Sequence, residues 1–289
     1  MTLLVTSEFE LNRVTAPNLP LPPQEYSALY INQLNNVLRL YFNRLDNLVG
    51  QLKTSASGSG IDLPFGAFHQ DGATFLTASM SNVSTAPIQV VSTTGLLDAG
   101  TVLIENELVG YTSKTSTTLI GITRGIYGTT NLSHAISSPV SEAQGVTSPT
   151  TYAAMQLTVT DYTNGVYITG ISNKVYFTTA GYYNLQFSAQ LLNFTTADDN
   201  VNFWFKQSGV DIPYSSGLTS VPSKHGSIPG AIIVGWNNII FVNAGEYIEL
   251  LYSSDNGNTV VATYPAGLAP VHPVSPALAL TATFVSAAP

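Results

Sequence analysis

The four histidines are the residues of this chain with the most versatile chemistry. They stand at His69, His134, His225 and His272, and no two of them have the spacing of a metal-ligand pair. Because the chain has no cysteine, a zinc site of histidine and cysteine is excluded. No Gly-x-Ser-x-Gly motif offers a serine nucleophile. The sequence therefore favours solvated loop histidines, and it predicts no enzyme, no metal site and no cofactor.

Clustered carboxylate and amide oxygens occur at two places. Asp198, Asp199 and Asn200 are consecutive, and Asp255 and Asn256 form a second cluster. Calcium binds oxygens of this kind, but aspartate and asparagine also hydrogen-bond the backbone of their own turns. The sequence favours the turn role, with calcium as the alternative.

Paired carboxylates could also cleave a glycoside in a groove. The chain has 17 acidic residues, and most of them fall at predicted turns or strand ends. A carbohydrate-active enzyme is therefore an alternative that the sequence does not favour.

Aromatic side chains are the remaining candidates for ligand contact. On strands they usually build a core or an interface, and that role is predicted for Tyr182, Tyr183, Trp204, Trp236 and Tyr247. Residues 211–230 and 254–276 are long segments rich in Pro, Gly and Ser, which predicts loops, where recognition tends to occur. The candidate ligand-contacting residues in these loops are Tyr214, His225 and Tyr264.

The composition restricts the classes to which the chain can belong. Charged residues make up 9% of it, well below the usual quarter. Abundant Tyr and Phe, with 23 Gly and 16 Pro for turns, predict a mainly β protein. A net charge of −8 without any basic cluster argues against nucleic-acid binding. We find no signal peptide and no apolar run of membrane-spanning length, so we expect synthesis in the cytoplasm and no membrane insertion.

Residues 1–53 predict an attachment arm followed by a helix. Four prolines between Pro17 and Pro23 forbid helix, so residues 1–23 are expected to be extended, either disordered or laid along a partner. From Gln24 to Lys53 apolar residues recur at alternating steps of three and four, the a/d pattern of a heptad repeat. This helix is expected to self-associate or dock on another surface, the alternative being a helix packed on its own domain. The predicted trimer-seam residues are Ile31, Leu34, Leu38, Tyr41, Leu45, Leu48 and Leu52.

Three further segments complete the predicted organisation. Residues 54–85 form a linker and connection that begins with a Ser/Gly-rich run, and residues 86–145 form a small β-module. Residues 150–289 form a larger domain in which eight or more short strands alternate with turn signals. That content is typical of a sandwich or a jelly roll.

The last domain resembles the C1q/TNF-like jelly rolls in four segments that come in the family's order. The segments are 179–185 (TAGYYNL), 201–209 (VNFWFKQSG), 243–250 (NAGEYIEL) and 278–285 (LALTATFV). The second has Ser-Gly where the family has Asn-Gly, and the fourth lacks the family's Phe-Ser-Gly. The resemblance implies a C1q/TNF-like jelly roll that forms a homotrimer, with aromatic faces packed around an axis.

Two more segments resemble parts of phage proteins. Residues 102–129 resemble a small β-module recurrent in phage structural proteins, and residues 29–48 are similar to attachment regions of marine-phage virion proteins. The resemblances imply a tailed-bacteriophage virion protein, a trimeric fibre or spike assembled in the host cytoplasm. Residues 1–52 would bind other virion proteins, and the jelly roll would contact the host surface, with a surface glycan as candidate ligand. The alternatives are a capsid decoration or cement protein, a neck or portal-vertex component, a polysaccharide-degrading tailspike and a free adhesive protein.

Overall fold

The computed structural model of the chain forms two compact units, Met1–Leu63 and Pro64–Pro289. The residues that it describes are 17–21, 23–25, 27–56, 63–146, 148–264, 266–268 and 271–287. Most of the predicted arm, residues 1–16, therefore lies outside the described residues.

The described part of the first unit contains one helix, α1 (Ala28–Ala56). The Tyr30 N–H donates a hydrogen bond of 3.3 Å to Ser27 Oγ. A serine hydroxyl that accepts from the third residue of a helix is a typical N-cap. The cap explains why the helix begins at Ala28 rather than at the predicted Gln24.

The predicted seam follows one side of α1. Ile31 is exposed, and the half-buried seam residues are Leu34, Leu38, Tyr41 and Leu45. The side chains of Leu48 and Leu52 lie outside the described residues. A helix is present where the pattern predicted one, and its association along the seam stays a prediction.

The described residues of the second unit form 23 strands, and the strands within each sheet pair in antiparallel fashion. The first nine strands are β1 (Phe65–His69), β2 (Ala73–Phe75), β3 (Ile88–Gln89), β4 (Gly100–Ile104), β5 (Glu107–Tyr111), β6 (Ser113–Lys114), β7 (Thr118–Ile120), β8 (Pro139–Gly145) and β9 (Ala153–Ala154). The next seven are β10 (Val159–Asn164), β11 (Val166–Tyr167), β12 (Val175–Phe177), β13 (Gly181–Asn193), β14 (Asp199–Gln207), β15 (Val210–Asp211) and β16 (Gly217–Val221). The last seven are β17 (Gly230–Val234), β18 (Asn237–Val242), β19 (Tyr247–Ser254), β20 (Thr259–Ala262), β21 (Gly267–Leu268), β22 (Val271–His272) and β23 (Leu278–Ser286). The predicted mainly β class is confirmed.

Two sheets pack face to face in this unit. The larger sheet runs β17-β13-β20-β8-β4-β5, with β18 and β23 also paired to β13 and β2 paired to β8. β1 pairs with β10 and lies beside β23, so both strands extend the same layer. The smaller sheet runs β11-β12-β19-β14-β15, with β16 on β14 and β9 on β19. Phe187 of the larger sheet contacts Phe203 and Phe205 of the smaller one at ring-centroid distances of 5.4 and 5.8 Å.

The length of β13 follows from a strict two-residue alternation. Tyr183, Leu185, Phe187, Ala189 and Leu191 are buried, and the residues between them point away from the core. Successive side chains of a strand point to opposite faces. One face of β13 therefore builds the core shared by the two sheets, and the other faces outward.

The segments 86–145 and 150–289, which were expected to be separate domains, share one sheet. β8 pairs with β4 on one side and with β20 on the other, so the boundary predicted near residue 150 is a turn within one compact unit. A separate apolar cluster is confined to residues 76–140, as expected for a module. A further cluster joins Leu103 and Leu108 to Phe194 and Val260, and it ties the two segments together. The predicted connection 54–85 holds β1 and β2.

Candidate functional site

The outer face of the larger sheet carries no charged side chain over three adjacent strands. We call the outward-pointing residues of β13, β18 and β23 the uncharged face. They are Tyr182, Asn184, Gln186 and Ser188 of β13, Asn237, Ile239 and Phe241 of β18, and Ala279, Thr281 and Thr283 of β23. The sequences of these three strands contain no Asp, Glu, Lys or Arg at all. The sequence analysis did not single out this face, although the charge-free stretches are visible in the sequence.

Strand register places these residues in rows across the sheet. Asn184 lies opposite Ile239 on one side and opposite Thr283 on the other. In the neighbouring row Tyr182 lies opposite Phe241, and the two rings meet edge to face at 5.3 Å. Ile239 is 62% exposed in the single chain. The face is therefore ordered by backbone pairing, and it leaves the large apolar side chains of Ile239 and Tyr182 exposed.

The absence of charge is a feature that this face shares with the cores of protein–protein interfaces. Interface cores are depleted in charged residues and enriched in aromatic ones, and large exposed apolar patches on monomers mark interaction sites. Exposed apolar residues also flank the face, with Ile233 on β17 and Tyr162 on β10. The arrangement can bury a surface against another protein without desolvating a charge.

The outer face of the smaller sheet has the opposite character. Tyr167, Tyr176 and Tyr247 stand side by side on three neighbouring strands, with ring centroids 5.5 and 5.6 Å apart. The Lys174 ammonium lies 4.4 Å from the centre of the Tyr247 ring. Because the Tyr167 and Tyr176 rings stack on each other, each ring covers one face of the other. The row therefore combines stacked aromatic rings with a charge.

The second aromatic group on this outer face contains Trp204. Its indole N–H donates a hydrogen bond of 2.8 Å to Asp211 Oδ1, and its ring meets Tyr152 edge to face at 5.7 Å. The Lys206 ammonium lies 4.8 Å from the centre of the Tyr152 ring. Charged groups thus occur throughout the face of the smaller sheet.

The five aromatics predicted for a core or an interface occupy different positions. Tyr183 is fully buried, and its hydroxyl donates a hydrogen bond of 2.8 Å to the Thr179 carbonyl. Burial raises the pKa of Tyr183 to about 12. Trp236 packs on the core beside Phe187. Of the other three, Tyr182 lies on the uncharged face, whereas Trp204 and Tyr247 lie on the face of the smaller sheet.

Two of the three predicted loop residues approach one cavity. Tyr264 lines a cavity of about 320 Å³ together with Ile228 and Ile233. His225 pairs with Ile228 across a short turn, so the loop with His225 contributes a wall. The other side of the Tyr264 ring stacks on His272 at 5.2 Å. The third residue, Tyr214, is fully exposed at a positive φ of 64° and does not line this cavity.

The expectation of solvated loop histidines is wrong for His134, which is buried in a network of charges. His134 Nε2 lies 2.8 Å from Glu107 Oε2, and its Nδ1 lies 3.1 Å from Glu105 Oε2. Arg124 makes a two-pronged ion pair with Glu107, at 2.5 Å from Nε and 2.6 Å from Nη2. The side chains of Glu107 and His134 are 0% exposed. The members of this network meet because two loops bring residues 124 and 134 back onto β5.

Every charged group at the centre of this network has several partners. Arg124 Nη1 also donates to the backbone carbonyls of Ser81 and Ser84, each at 3.0 Å. Burial disfavours the Glu107 carboxylate, but hydrogen bonds from Arg124, the Leu132 N–H and His134 outweigh it and lower its pKa. A charge held in this way fastens loops to a strand.

His69 also differs from the expectation, because it ends β1 rather than lying in a loop. Its Nδ1 lies 2.9 Å from Asp161 Oδ2. Both residues line a cavity of about 320 Å³ together with Asp71 and Pro276. Sequence reasoning missed this pair, since its members are 92 residues apart and meet only through the pairing of β1 with β10.

The candidate calcium cluster has a hydrogen-bonding role. Asp199 is buried, and its Oδ2 accepts from the Ser254 hydroxyl at 2.6 Å and from the Thr259 hydroxyl at 2.7 Å. Its Oδ1 accepts from the Asn256 N–H at 3.0 Å. The carboxylate thus joins the hairpin of β19 and β20 to β14. Within the described part of the chain no three His, Cys, Asp or Glu residues converge as metal ligands would.

Glu142 of β8 is a second buried acid that the sequence analysis did not predict. Its Oε2 accepts from the Leu97 N–H and from the Tyr111 hydroxyl, each at 3.2 Å, while Oε1 has no hydrogen-bond partner. Burial raises the pKa of Glu142 to about 8, against the opposing hydrogen bonds from Leu97 and Tyr111 and the charge of Lys114. The group is therefore a neutral acid at pH 7, in a site closed to solvent.

The comparisons with known proteins assign the chain to no family. No protein-family model matches the sequence, and the search of curated proteins found no match. Among the described residues, no helix is both long enough and apolar enough to cross a membrane.

Proposed function

We propose that this chain is a non-enzymatic structural subunit of a tailed-bacteriophage virion, a trimeric fibre or spike protein. The observation that carries the trimer is the uncharged face, which leaves Ile239 and Tyr182 exposed on an ordered sheet. The virion assignment comes from the sequence resemblances of residues 29–48 and 102–129.

The partner that suits the uncharged face is a further copy of this chain. The protein has a net charge of −8, so two copies repel each other over most of their surfaces. A surface without charge avoids this repulsion, and it avoids the cost of burying ions. Homo-oligomers with closed symmetry are the commonest assemblies of soluble proteins.

Three copies are favoured by the C1q/TNF-like resemblance and by the heptad spacing of α1. The four segments that carry the resemblance fall on or overlap β13, β14, β19 and β23. The first and last of them pair with each other at the centre of the uncharged face. In the proposed assembly, three jelly rolls bury this face around one axis and three α1 helices bury the seam.

The proposed mechanism is adhesive. Residues 1–52 hold the trimer on the particle, and the loops of three heads contact a repeated host-surface ligand, with a glycan as candidate. Linking three weak sites raises the overall affinity without any new contact. The candidate ligand positions remain Tyr214, His225 and Tyr264, of which Tyr264 lines a cavity.

The experiment that tests the trimer is a mass measurement by light scattering after size exclusion. We expect three times the chain mass of 30.7 kDa. Leu38→Asp places a charge in the seam and is expected to weaken assembly, whereas Asn43→Asp on an exposed position of α1 is the matched control. A monomeric wild-type chain would contradict the proposal and favour a decoration or neck protein that docks through α1.

The virion assignment needs a separate test. Antibodies against the purified chain, applied to intact particles with gold labelling, are expected to mark the tail or its fibres. Labelling of the capsid surface or the neck would favour the decoration or vertex alternatives. Absence of the chain from purified particles would overturn the assignment.

A further inference from the structure

The two edges of the larger sheet's outer surface expose apolar side chains at the same level. At one edge, β18 carries Ile239, opposite Asn184 of β13. At the other edge, β1 carries Phe65 and β10 carries Tyr162, opposite Ala67. Tyr162 is 73% exposed, Ile239 is 62% exposed and Phe65 is 39% exposed.

Backbone hydrogen bonds define that level. The Phe284 N–H donates to the Pro64 carbonyl and the Gln70 N–H donates to the Leu278 carbonyl, so β1 runs antiparallel to β23 in one continuous register. This register places Phe65 opposite Thr283, and Thr283 lies opposite Asn184. Phe65 and Ile239 therefore lie in one row, separated by Thr283 of β23 and Asn184 of β13, and Asn164 of β10 lies beyond Phe65 at the edge.

A ring of identical subunits brings one edge of each copy against the other edge of the next. Such a contact is heterologous, and it closes only if the two edges match at the same height along the axis. Phe65 and Ile239 share a row, so their heights match when the strands of the sheet run along the axis. Neither has a charged neighbour within its row, which consists of Asn164, Phe65, Thr283, Asn184 and Ile239.

We propose that the β1–β10 edge of one copy, through Phe65 and Tyr162, packs on the β18 edge of the next copy, at Ile239. The inference rests on the trimer proposed above and adds which residues meet. The His69–Asp161 pair lies at the same edge, two rows from Phe65. It therefore marks the border of the proposed contact along this edge.

The test uses the absence of cysteine from the chain, which makes introduced cysteines the only thiols. The full-length variants are Phe65→Cys, Ile239→Cys and the double variant, each treated with a short bismaleimide and separated on denaturing gels. Phe65→Cys combined with Val210→Cys is the matched control, because Val210 is an exposed residue of the smaller sheet. Thermal melts and light scattering of each variant establish that it is folded and show its mass.

The expected result is covalent dimers and trimers for the double Phe65→Cys/Ile239→Cys variant, and uncrosslinked chains for each single variant and for the control. Covalent dimers from Ile239→Cys alone would overturn the inference, since they indicate a two-fold contact of like edges. A trimeric mass without crosslinks in the double variant would also overturn it while leaving the trimer intact. A monomeric mass of the wild-type chain contradicts the proposed function itself, together with the contact that rests on it.

Discussion

The segment around β4, β5 and β8 buries its charges, whereas the outer face of β13, β18 and β23 exposes apolar residues without any charge. Both regions reverse the usual distribution, in which charged side chains are exposed and large apolar ones are covered. Glu107, Arg124, His134 and Glu142 are among the buried titratable side chains of the first region. Ile239 and Tyr182 are among the exposed apolar side chains of the second.

The two regions differ in whether the chain itself supplies partners for the unusually placed side chains. Around Glu107, the compensation is complete within the chain, because Arg124, His134 and the Leu132 N–H all contact the carboxylate. The uncharged face has no such compensation in the single chain, since its apolar side chains remain in contact with water. Where the chain itself supplies the partners of its buried charges, as around Glu107, we infer a structural role. Where apolar side chains stay exposed to water, as on the uncharged face, we infer a partner that the single chain lacks.

The largest expected effect is the loss of stability in Glu107→Gln. The substitution leaves the Arg124 guanidinium buried without its counter-ion, which costs about 3–5 kcal/mol in comparable buried pairs. Urea unfolding at a fixed protein concentration measures the change. Glu105→Gln is the matched control, because Glu105 is 45% exposed and sits at the rim of the same network. If both variants unfold at the wild-type midpoint, the buried pair does not stabilise the fold.

Glu142→Gln is expected to give an opposite effect that depends on pH. The folded chain keeps a proton on Glu142 up to a pKa of about 8, whereas the unfolded chain releases it near the ordinary value of 4.5. Between these values the unfolded state binds fewer protons, so stability falls as pH rises, by at most about 1.4 kcal/mol per pH unit. The variant should therefore be more stable than the wild type at pH 7.5 and similar to it at pH 4.5.

Thermal melts of both proteins across this pH range measure the difference. A constant difference between wild type and Glu142→Gln would contradict the buried neutral acid. The Glu107 contribution lies in another window, because its pKa is lowered. That contribution is lost only as the pH falls below about 4.5, so the two acids can be separated.

The smallest expected effect is that of salt on self-association. Screening weakens contacts between exposed charges, since the Debye length falls to about 3 Å at 1 M salt. Association through the uncharged face should keep its strength, or gain some, as the sodium chloride concentration rises from about 0.05 to about 1 M, because this face has no charges to be screened. Sedimentation at a series of protein concentrations measures it. Dissociation at high salt would assign the contact to charged residues, such as Lys206 and Asp211 on the other sheet.

Local features of the fold were predictable from the sequence, whereas distant pairings were not. Tyr183 was predicted for a core or an interface and is buried in β13, and the a/d spacing predicted a helix at α1. The merging of residues 86–145 with the last domain was missed because β8 pairs with β20, more than a hundred residues away. The buried polar run Ser141-Glu142-Ala143-Gln144 in β8 also gave no apolar signal for a central strand.

The sites show the same division. Glu107 stands in a strand that is otherwise apolar, and few other charges occur nearby, so an inward-facing acid with Arg124 or His134 as partner could have been suspected. The uncharged face could have been found by comparing strands for charge rather than for hydrophobicity. The His69–Asp161 pair could not, because it depends on a bulge that shifts the register between β1 and β10.

The most direct test of the account compares one charge placed on each sheet. Ile239→Asp puts a carboxylate on the uncharged face, and Val210→Asp puts one at a similarly exposed β-branched residue of β15 in the smaller sheet. Light scattering of wild type and both variants, at one protein concentration, is the measurement. The account predicts a trimeric mass for wild type and Val210→Asp and a folded monomer for Ile239→Asp. A trimeric mass for Ile239→Asp would contradict the claim that the uncharged face is where the copies meet.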